Sequence, residues 1–336
     1  MITPQTNTTL FEIAERFRAL DDFVICGHVN PDGDCLGSQL GLYHSLRAMG
    51  KRATCLLAKP DPIDAGLMFL PGIDKMVVAS DYPTKARVFV AVDVPSVERI
   101  GTAASLHDKA DVRFTIDHHA FDPAMAEYTY VDPDAPSASM LVWEIACLLD
   151  SVTPEVAQCC LTGLITDTGR FAYQNTTAQA FKSAAKMMEA GADPALVNRE
   201  FFQNRSLASV KLEQRILDRM EFHEDGSFVM SYLTRDDFDA CGAVKADAEV
   251  LIDVLRSIRG VRVALILREN VPGEIRGSMR AKDEETDVAA VARCFDGGGH
   301  KAAAGFTYHG SLNDARCDVV QTIKSLCFST KGALNG

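Results

Sequence analysis

The chain has 336 residues, a length that predicts two folded domains. Its apolar fraction of 47% excludes global disorder. The formal net charge of −12 argues against tight binding to long duplex nucleic acid, because that affinity depends on Lys and Arg contacts with phosphate. No apolar run reaches the roughly 18 residues that a membrane span needs, and the N-terminus lacks the apolar segment of a secretory signal. Ten cysteines without a CxxC pair are typical of a reducing compartment, so we expect a cytoplasmic protein with no membrane contact.

In the first half of the chain, strand patterns alternate with helix patterns. Strands are predicted at DDFVICGH, RATCLLA, ARVFVAVD and VRFTID. Helices are predicted at LGSQLGLYHSLRAMG, SASMLVWEIACLLD and PEVAQCCLTGLITDTG. The continuous apolar run in ARVFVAVD is typical of a strand that is covered on both faces. This order predicts an α/β domain over residues 1–190, with a mostly parallel sheet flanked by helices.

The second half begins with a long, polar-faced helix pattern, PALVNREFFQNRSLASVKLEQRILDRM. This pattern predicts a helical connector over residues 191–222. A smaller set of strand and helix patterns follows, and it predicts a second α/β domain over residues 223–336. We expect the two domains to face each other across a cleft.

Acidic and imidazole side chains recur where the predicted elements of the first domain end. Three clusters follow strands and a fourth ends a helix: His28, Asp32 and Asp34; Asp93; Asp117, His118 and His119; and Asp167. Ligands of open α/β sheets bind outside the carboxyl ends of the strands, and parallel neighbours place those ends at one edge. We therefore expect the strand-end clusters to converge, whereas Asp167 needs a helix end to reach the same place.

Five carboxylates and three imidazoles in one crevice would repel each other and lose hydration without counter-ions. A mixed carboxylate and imidazole set favours two Mn²⁺ ions, with Mg²⁺ or Co²⁺ as alternatives. Two such ions can share a bridging carboxylate and activate a hydroxide that attacks phosphorus. Each residue alone has an ordinary explanation, since Asp93 could be a helix cap and Asp32 or Asp34 a turn residue. The four clusters together favour the metal site.

The segment GGGH, residues 297–300, suggests a second kind of contact. Three glycines let backbone N–H groups approach a phosphate closely, although an ordinary glycine turn is the alternative. His300 could form a hydrogen bond with a terminal phosphate. Arg280, in the strand pattern SMRAK, could make a bidentate phosphate contact or could be a solvated charge.

Together these segments resemble a known family. HVNPDGDCLGS, VAVDVPS, IDHH and GLITDTGRF resemble the four motifs of the DHH phosphoesterases, and RGSMRAK and GGGHKAAAGF resemble the DHH-associated domain. The resemblance covers nearly the whole chain. It implies two metal sites joined by a bridging Asp93, the first held by His28 and Asp32 and the second by Asp34, His118 and Asp167. It also implies a substrate-binding set in the second domain: Ser278, Arg280, Gly297, Gly298, Gly299 and His300.

The same resemblance implies the chemistry. His119 is expected to face the substrate phosphate and Asp117 to orient an imidazole. The compact acidic chain is most similar to family members that hydrolyse short oligoribonucleotides (nanoRNA) to mononucleotides and remove the 3′-phosphate of phosphoadenosine phosphate (pAp). The alternatives are a phosphodiesterase for cyclic di-AMP or linear pApA, and a nucleotide-binding regulator without turnover. The implied partner is short single-stranded RNA or a small nucleotide, and a homodimer is left open.

Repulsion among the carboxylates also predicts the effect of removing one. Asp34→Ala or Asp167→Ala is expected to abolish turnover and to leave the fold largely intact.

Overall fold

The computed structural model of the chain describes residues 5–60, 62–83, 85–119, 124–283 and 285–328, apart from the side chains of Asn270 and His300. The chain forms two compact units that divide between Asn204 and Arg205. This division falls inside the segment that the sequence predicts as a connector. Among the described residues, no helix is both long enough and apolar enough to cross a membrane.

The first unit contains a six-stranded sheet. Its strands are β1 (Phe23–Cys26), β2 (Ala53–Leu57), β3 (Val77–Val78), β4 (Val88–Val92), β5 (Val112–Asp117) and β6 (Tyr128–Val131). Their order is β3-β2-β1-β4-β5-β6, and every neighbouring pair is parallel, which confirms the predicted sheet. The strand order reverses between β1 and β4, and ligands of such sheets bind at this kind of switch point.

Helices cover both faces of this sheet. They are α1 (Leu10–Ala19), α2 (Gly33–Ala48), α3 (Ala104–Lys109), α4 (Ala138–Leu148), α5 (Pro154–Asp167), α6 (Ala178–Glu189) and α7 (Pro194–Val197). The larger core lies on the face covered by α1, α2, α4 and α5. A smaller core lies on the other face, under α3 and the 3-10 turns before it. All five residues of β4 are buried, as expected for an apolar strand between two cores.

The predicted connector is helical, but it consists of separate helical segments and not of one continuous helix. α7 ends at Val197 and continues as a π-helical segment over Asn198–Phe202. The helix ends there, and a new helix, α8 (Leu207–Asp218), begins after a short non-helical stretch. The hydroxyl of Ser206 accepts a hydrogen bond from the backbone N–H of Ser209, so Ser206 is an N-cap that starts a new helix.

The second unit is a smaller mixed sheet with helices on both faces. Its strands are β7 (Glu221–His223), β8 (Phe228–Leu233), β9 (Val263–Val271), β10 (Glu274–Ala281), β11 (Gly298–His300) and β12 (Ala303–His309). After α8 its helices are α9 (Arg235–Cys241), α10 (Leu251–Ser257), α11 (Val288–Arg293) and α12 (Leu312–Ile323). The strand order is β11-β12-β10-β9-β8-β7, with only β8 and β9 parallel among these neighbours.

The two faces of this second sheet are covered differently. α11 and α12 pack against one face. On the other face, α8, α9 and α10 pack over β8 and β9. The part of that face formed by β10 and β12 carries polar side chains and glycines, which matters for the candidate substrate contacts.

Candidate metal centre

Asp32 and Asp34 are placed at the site by the start of α2. Asp32 is the N-cap of that helix, and its Oδ1 accepts hydrogen bonds from the N–H groups of Asp34 and Cys35. The other oxygen, Oδ2, lies 3.8 Å from Nε2 of His28, which follows β1. The turn chemistry expected of NPDGD is therefore present, and it leaves one carboxylate oxygen directed at an imidazole.

Asp34 is buried and is tied to a second helix. Its Oδ2 accepts a hydrogen bond of 2.7 Å from the N–H of Ala138, and its Oδ1 accepts one of 2.9 Å from the N–H of Ser139. Both donors belong to the first turn of α4, where unpaired N–H groups and the helix dipole favour an anion. Asp34 thus joins the N-terminus of α4 to the centre.

Asp93 lies in the middle of the cluster. It follows β4 in a left-handed backbone conformation, with φ of 54°, and only 1% of it is exposed. Its Oδ2 lies 3.5 Å from Nε2 of His28, and its Oδ1 lies 3.4 Å from Nε2 of His118. Oδ1 accepts no hydrogen bond within the described residues. A buried carboxylate oxygen without a donor is unfavourable unless a cation binds there.

The three imidazoles are oriented by acceptors on their Nδ1 side. Nδ1 of His28 lies 2.9 Å from the carbonyl of Val29, and Nδ1 of His118 lies 3.2 Å from the carbonyl of Ala135. A ring that donates through Nδ1 keeps Nε2 for a metal, which is a common arrangement around metal ions. Nδ1 of His119 lies 2.9 Å from Oδ1 of Asp117. The carboxylate of Asp117 therefore contacts an imidazole.

Asp167 reaches the cluster from the end of α5. Its Oδ2 lies 3.8 Å from Nε2 of His118, and 29% of its side chain is exposed. Asn175, which the sequence analysis did not single out, donates its amide N–H to the carbonyl oxygen of Asp167 at 3.1 Å and lies 3.5 Å from Oδ2. The predicted convergence of the four clusters is therefore present in the structure.

Residues 132–139, from the end of β6 through the first turn of α4, contact several of these groups through the backbone. This 132–139 segment supplies the Ala135 carbonyl that orients His118 and the two N–H groups that hold Asp34. The carbonyl of Pro136 also accepts a hydrogen bond from Asn175, the partner of Asp167. Sequence patterns gave no signal for this role, because the contacts use main-chain atoms.

The charges of the centre are strongly coupled. Burial, with the charges of Asp93 and Asp167, holds the pKa of Asp34 well above its usual range. Burial, with Asp32 and Asp93 nearby, raises the pKa of Asp167 to about 6. Burial opposes charge on His118, but the neighbouring carboxylates outweigh it and raise the pKa of that ring. Burial also opposes charge on Asp93, yet the imidazoles hold its pKa below the usual range. A bound cation would therefore compete with protons for this cluster.

The donor set fits divalent cations. Among the residues that the structure describes, three groups have ligand atoms that lie within 4.8 Å of one another: Asp34, His118 and Asp167; Asp93, His118 and His119; and His28, Cys35 and Asp93. Carboxylate and imidazole donors suit Mn²⁺ and similar ions, and the unpartnered Asp93 oxygen gives such an ion a place. Cys35 was not expected at the site, because a lone cysteine carries no signal for metal binding.

The predicted substrate-binding residues lie on β10, β11 and the residue before β11, all in the second unit. Ser278 pairs in register with Gly305 of β12, and Gly305 pairs with Gly298 of β11. Two rows further along the sheet, Arg280 pairs with Ala303, which pairs with the backbone of His300. The side chain of His300 lies outside the described residues.

The GGGH segment is a short edge strand, not a free turn or nest. A methyl group on Gly299 would lie 2.5 Å from the carbonyl oxygen of Ala303, and its φ of 141° also disfavours a side chain. A methyl group on Gly298 would meet no atom within 4 Å. Gly299 is thus required by the fold, whereas Gly298 leaves open space. In the described part of the sheet β11 has one neighbour, so it also presents edge N–H groups.

A buried arginine next to Ser278 was also not predicted from the sequence. Arg268 on β9 is 2% exposed, and its guanidinium donates to the hydroxyl of Ser278 at 3.0 Å. One of its nitrogens lies 3.0 Å from Glu249. The strand pattern VRVALILRE gave no reason to separate Arg268 from an ordinary strand-end charge.

Family models match both units. Residues 22–164 match the DHH family, N-terminal domain, and residues 226–327 match the DHHA1 domain. With the relative described next, these matches show that the chain belongs to the DHH family of phosphoesterases, which are metal-dependent hydrolases. The predicted family and enzyme class are confirmed.

Among known proteins, the chain is similar to the bifunctional oligoribonuclease and PAP phosphatase NrnA of Thermus thermophilus, with 30% identity over 93% of this chain and 92% of that protein. The NrnA of Bacillus subtilis is 24% identical over 94% of this chain and 98% of that protein. The cyclic-di-AMP phosphodiesterase PdeA of Listeria monocytogenes is 23% identical over 84% of this chain and 44% of that protein.

The fold also matches a solved structure. An exopolyphosphatase-related protein from Bacteroides fragilis superposes with a TM-score of 0.89 and 25% identity, over 96% of this chain and 98% of that one.

Proposed function

We propose that this chain hydrolyses short oligoribonucleotides to mononucleotides and removes the 3′-phosphate of pAp. The observation that carries the proposal is the position of Asp93, whose buried carboxylate lies 3.5 Å and 3.4 Å from the Nε2 atoms of two imidazoles. This is the arrangement that a carboxylate bridging two cations needs. The similarity to NrnA proteins over nearly the whole chain supports the choice of substrate.

In this proposal His28 and Asp32 hold one ion, and the other ion is held by Asp34, His118 and Asp167. Mn²⁺ is the proposed metal at both positions. When bound, the ions supply the positive charge that activates a water molecule and stabilises charge on phosphorus. The protein residues keep this set in place. α4 holds Asp34 through two N–H groups, and backbone carbonyls keep the Nε2 atoms of both imidazoles directed at the carboxylates.

His119 is the proposed proton donor to the leaving oxygen. Its Nδ1 is 2.9 Å from Asp117, which also accepts hydrogen bonds from the backbone N–H groups of His118 and His119. This contact fixes the orientation of the ring, and the proton of the proposed transfer would leave from Nε2.

We propose that the second unit binds a phosphate of the substrate. Ser278 and Gly298 flank Gly305 in one row of the sheet, and Arg280 lies two residues further along β10. The proposed contacts are the guanidinium of Arg280, the hydroxyl of Ser278, the backbone of Gly297, Gly298 and Gly299, and His300. Arg268 would position Ser278 through their hydrogen bond of 3.0 Å. A localised set of donors of this kind suits a small anion even in a chain with net charge −12.

The test compares three substrates in parallel. The purified chain with Mn²⁺ is incubated with a labelled RNA dinucleotide, with pAp and with cyclic di-AMP, and Asp167→Ala serves as the inactive control. Release of mononucleotides and AMP from the first two supports the proposal. Turnover of cyclic di-AMP alone would favour a PdeA-like activity, and turnover of none would favour a binding regulator. RNAs of graded length with either end blocked then define polarity. Cytoplasmic location and a homodimer stay predictions.

A further inference from the structure

We infer that Sγ of Cys35 makes the His28–Asp93 end of the metal centre a mixed nitrogen, oxygen and sulfur site that binds soft divalent cations, such as Zn²⁺ and Cd²⁺. The inference rests on the proposed function only in treating the cluster as a cation site. It adds a ligand and a metal selectivity that the carboxylate and imidazole set alone does not have.

The first support is the geometry. Cys35 lies in the first turn of α2, directly after Asp34, and is fully buried. Its sulfur, a ring nitrogen of His28 and a carboxylate oxygen of Asp93 lie within 4.8 Å of one another. Nε2 of His28 and Oδ2 of Asp93 are 3.5 Å apart. Bonds of about 2.0–2.3 Å in a tetrahedral zinc site put ligand atoms about 3.3–3.8 Å apart, so small side-chain shifts suffice.

The second support is the environment of the donors. The side chain of Asp93 is almost fully buried, and its Oδ2 is the oxygen that faces His28. The sulfur of Cys35 has weak contacts of its own. Its thiol is 3.9 Å from the carbonyl of His28, and the side-chain amide of Gln39 donates to the sulfur at 3.4 Å. The contact between the thiol and the His28 carbonyl is weak, so losing it costs little. The Gln39 N–H would stabilise a negatively charged sulfur.

The two ends of the centre therefore differ in chemistry. Asp34, His118 and Asp167 offer oxygen and nitrogen, whereas the other end adds sulfur. When a soft cation binds there, the S–H bond of Cys35 breaks, a sulfur–metal bond forms, and the proton leaves to water without any electron transfer. Thiolate ligands favour zinc-type ions over Mn²⁺, so these ions would displace the working metal from one end first.

Cobalt substitution tests the sulfur bond directly. The full chain, freed of metal with a chelator, is titrated with Co²⁺, and thiolate-to-cobalt charge-transfer absorption is recorded in the near ultraviolet. Cys35→Ser and Cys35→Ala are compared with Cys159→Ser, a buried cysteine of α5 outside the three ligand groups. We expect the band in the wild type and in Cys159→Ser, and its loss in both Cys35 variants. Competition titrations should show the preference for Zn²⁺ over Mn²⁺ falling about tenfold or more in Cys35→Ser.

Two outcomes would overturn the inference. One is a cobalt-saturated wild type without the band, a result that does not depend on whether any variant folds. The other is a band, or an unchanged zinc preference, in a folded Cys35→Ser protein. Hydrolysis of pAp by the same manganese-loaded wild type is measured alongside. A band without hydrolysis means that the proposed function fails alone, and hydrolysis without a band means that the sulfur ligand fails alone.

Discussion

Asp34 and Asp167 are both proposed ligands of the same ion, but the structure predicts different effects on stability when each is removed. Asp34→Ala leaves two buried N–H groups at the start of α4 without their acceptor. Asp167→Ala removes a side chain that is 29% exposed and whose hydrogen bond from Asn175 is long, at 3.5 Å. The expectation from repulsion alone, that either variant leaves the fold largely intact, should therefore hold for Asp167 and fail for Asp34.

The expected size follows from the hydrogen bonds. An unsatisfied buried donor costs about 1–3 kcal/mol. Relief of repulsion from Asp93 and Asp167 offsets part of this cost, so we expect Asp34→Ala to lower the free energy of unfolding by about 2–3 kcal/mol. For a unit of roughly 200 residues this corresponds to a Tm lower by about 4–12 °C. Asp167→Ala should change the free energy of unfolding by less than about 0.5 kcal/mol.

The assay is urea unfolding of metal-free protein, followed by fluorescence of Trp143. This residue is the single tryptophan of the chain, and it is buried in α4, so its signal reports on the first unit. Asp34→Asn is the matched control, since its amide oxygen keeps one of the two acceptors. Equal urea midpoints for the two alanine variants would refute the argument that α4 depends on Asp34. Near-full activity of either variant with Mn²⁺ would refute the ligand assignment.

Three further predictions concern the second unit. Gly298→Ala should fold normally and raise KM for pAp about tenfold. Gly299→Ala should instead lower Tm, because its methyl group would meet the backbone. Thermal unfolding measures both variants, and a normal Tm for Gly299→Ala would contradict the prediction. Arg280→Ala should raise KM and leave manganese content unchanged by elemental analysis, and a loss of manganese would show that it belongs to the metal centre. Asp237→Asn should lower stability by about 2–3 kcal/mol at pH 7, since the buried carboxylate accepts hydrogen bonds from Arg219 and from the N-cap of its own helix. Although burial opposes it, these partners lower the pKa of Asp237, so its contribution is present above about pH 4 and lost as pH falls through the lowered value. A difference between variant and wild type that does not shrink as the pH falls below about 4 would contradict the assignment.

The convergence of the four acidic and imidazole clusters could be predicted because three of the clusters follow strands. An apolar run such as Val88–Val92 identifies a buried strand, and the acid after it must lie at the sheet edge. What the sequence did not predict are contacts made by the backbone. The hydrogen bonds from Ala138 and Ser139 to Asp34 depend on chain path and not on residue type.

Short elements were missed for a related reason. β3 has two residues and β6 has four, which is too few for an alternating pattern to be distinctive. The break before α8 was hidden because the flanking residues continue a helical pattern, and only the Ser206 cap shows where the new helix starts. The GGGH segment was expected as a nest because glycine permits many conformations, and neighbouring β12 selects the strand.

The role of the 132–139 segment has a consequence for experiments that map tolerance to mutation. Most of its contacts with His118, Asp34 and Asn175 are made through carbonyl or amide groups of the main chain, and the exception is the hydroxyl of Ser139, which donates to the carbonyl of Asp34 at 3.2 Å. Alanine scanning would leave the main-chain contacts in place and would therefore underestimate the importance of the segment. Replacing the Ala138 amide by an ester, or inserting one residue before it, would instead disconnect the segment from Asp34 with every acidic and imidazole side chain still in the protein.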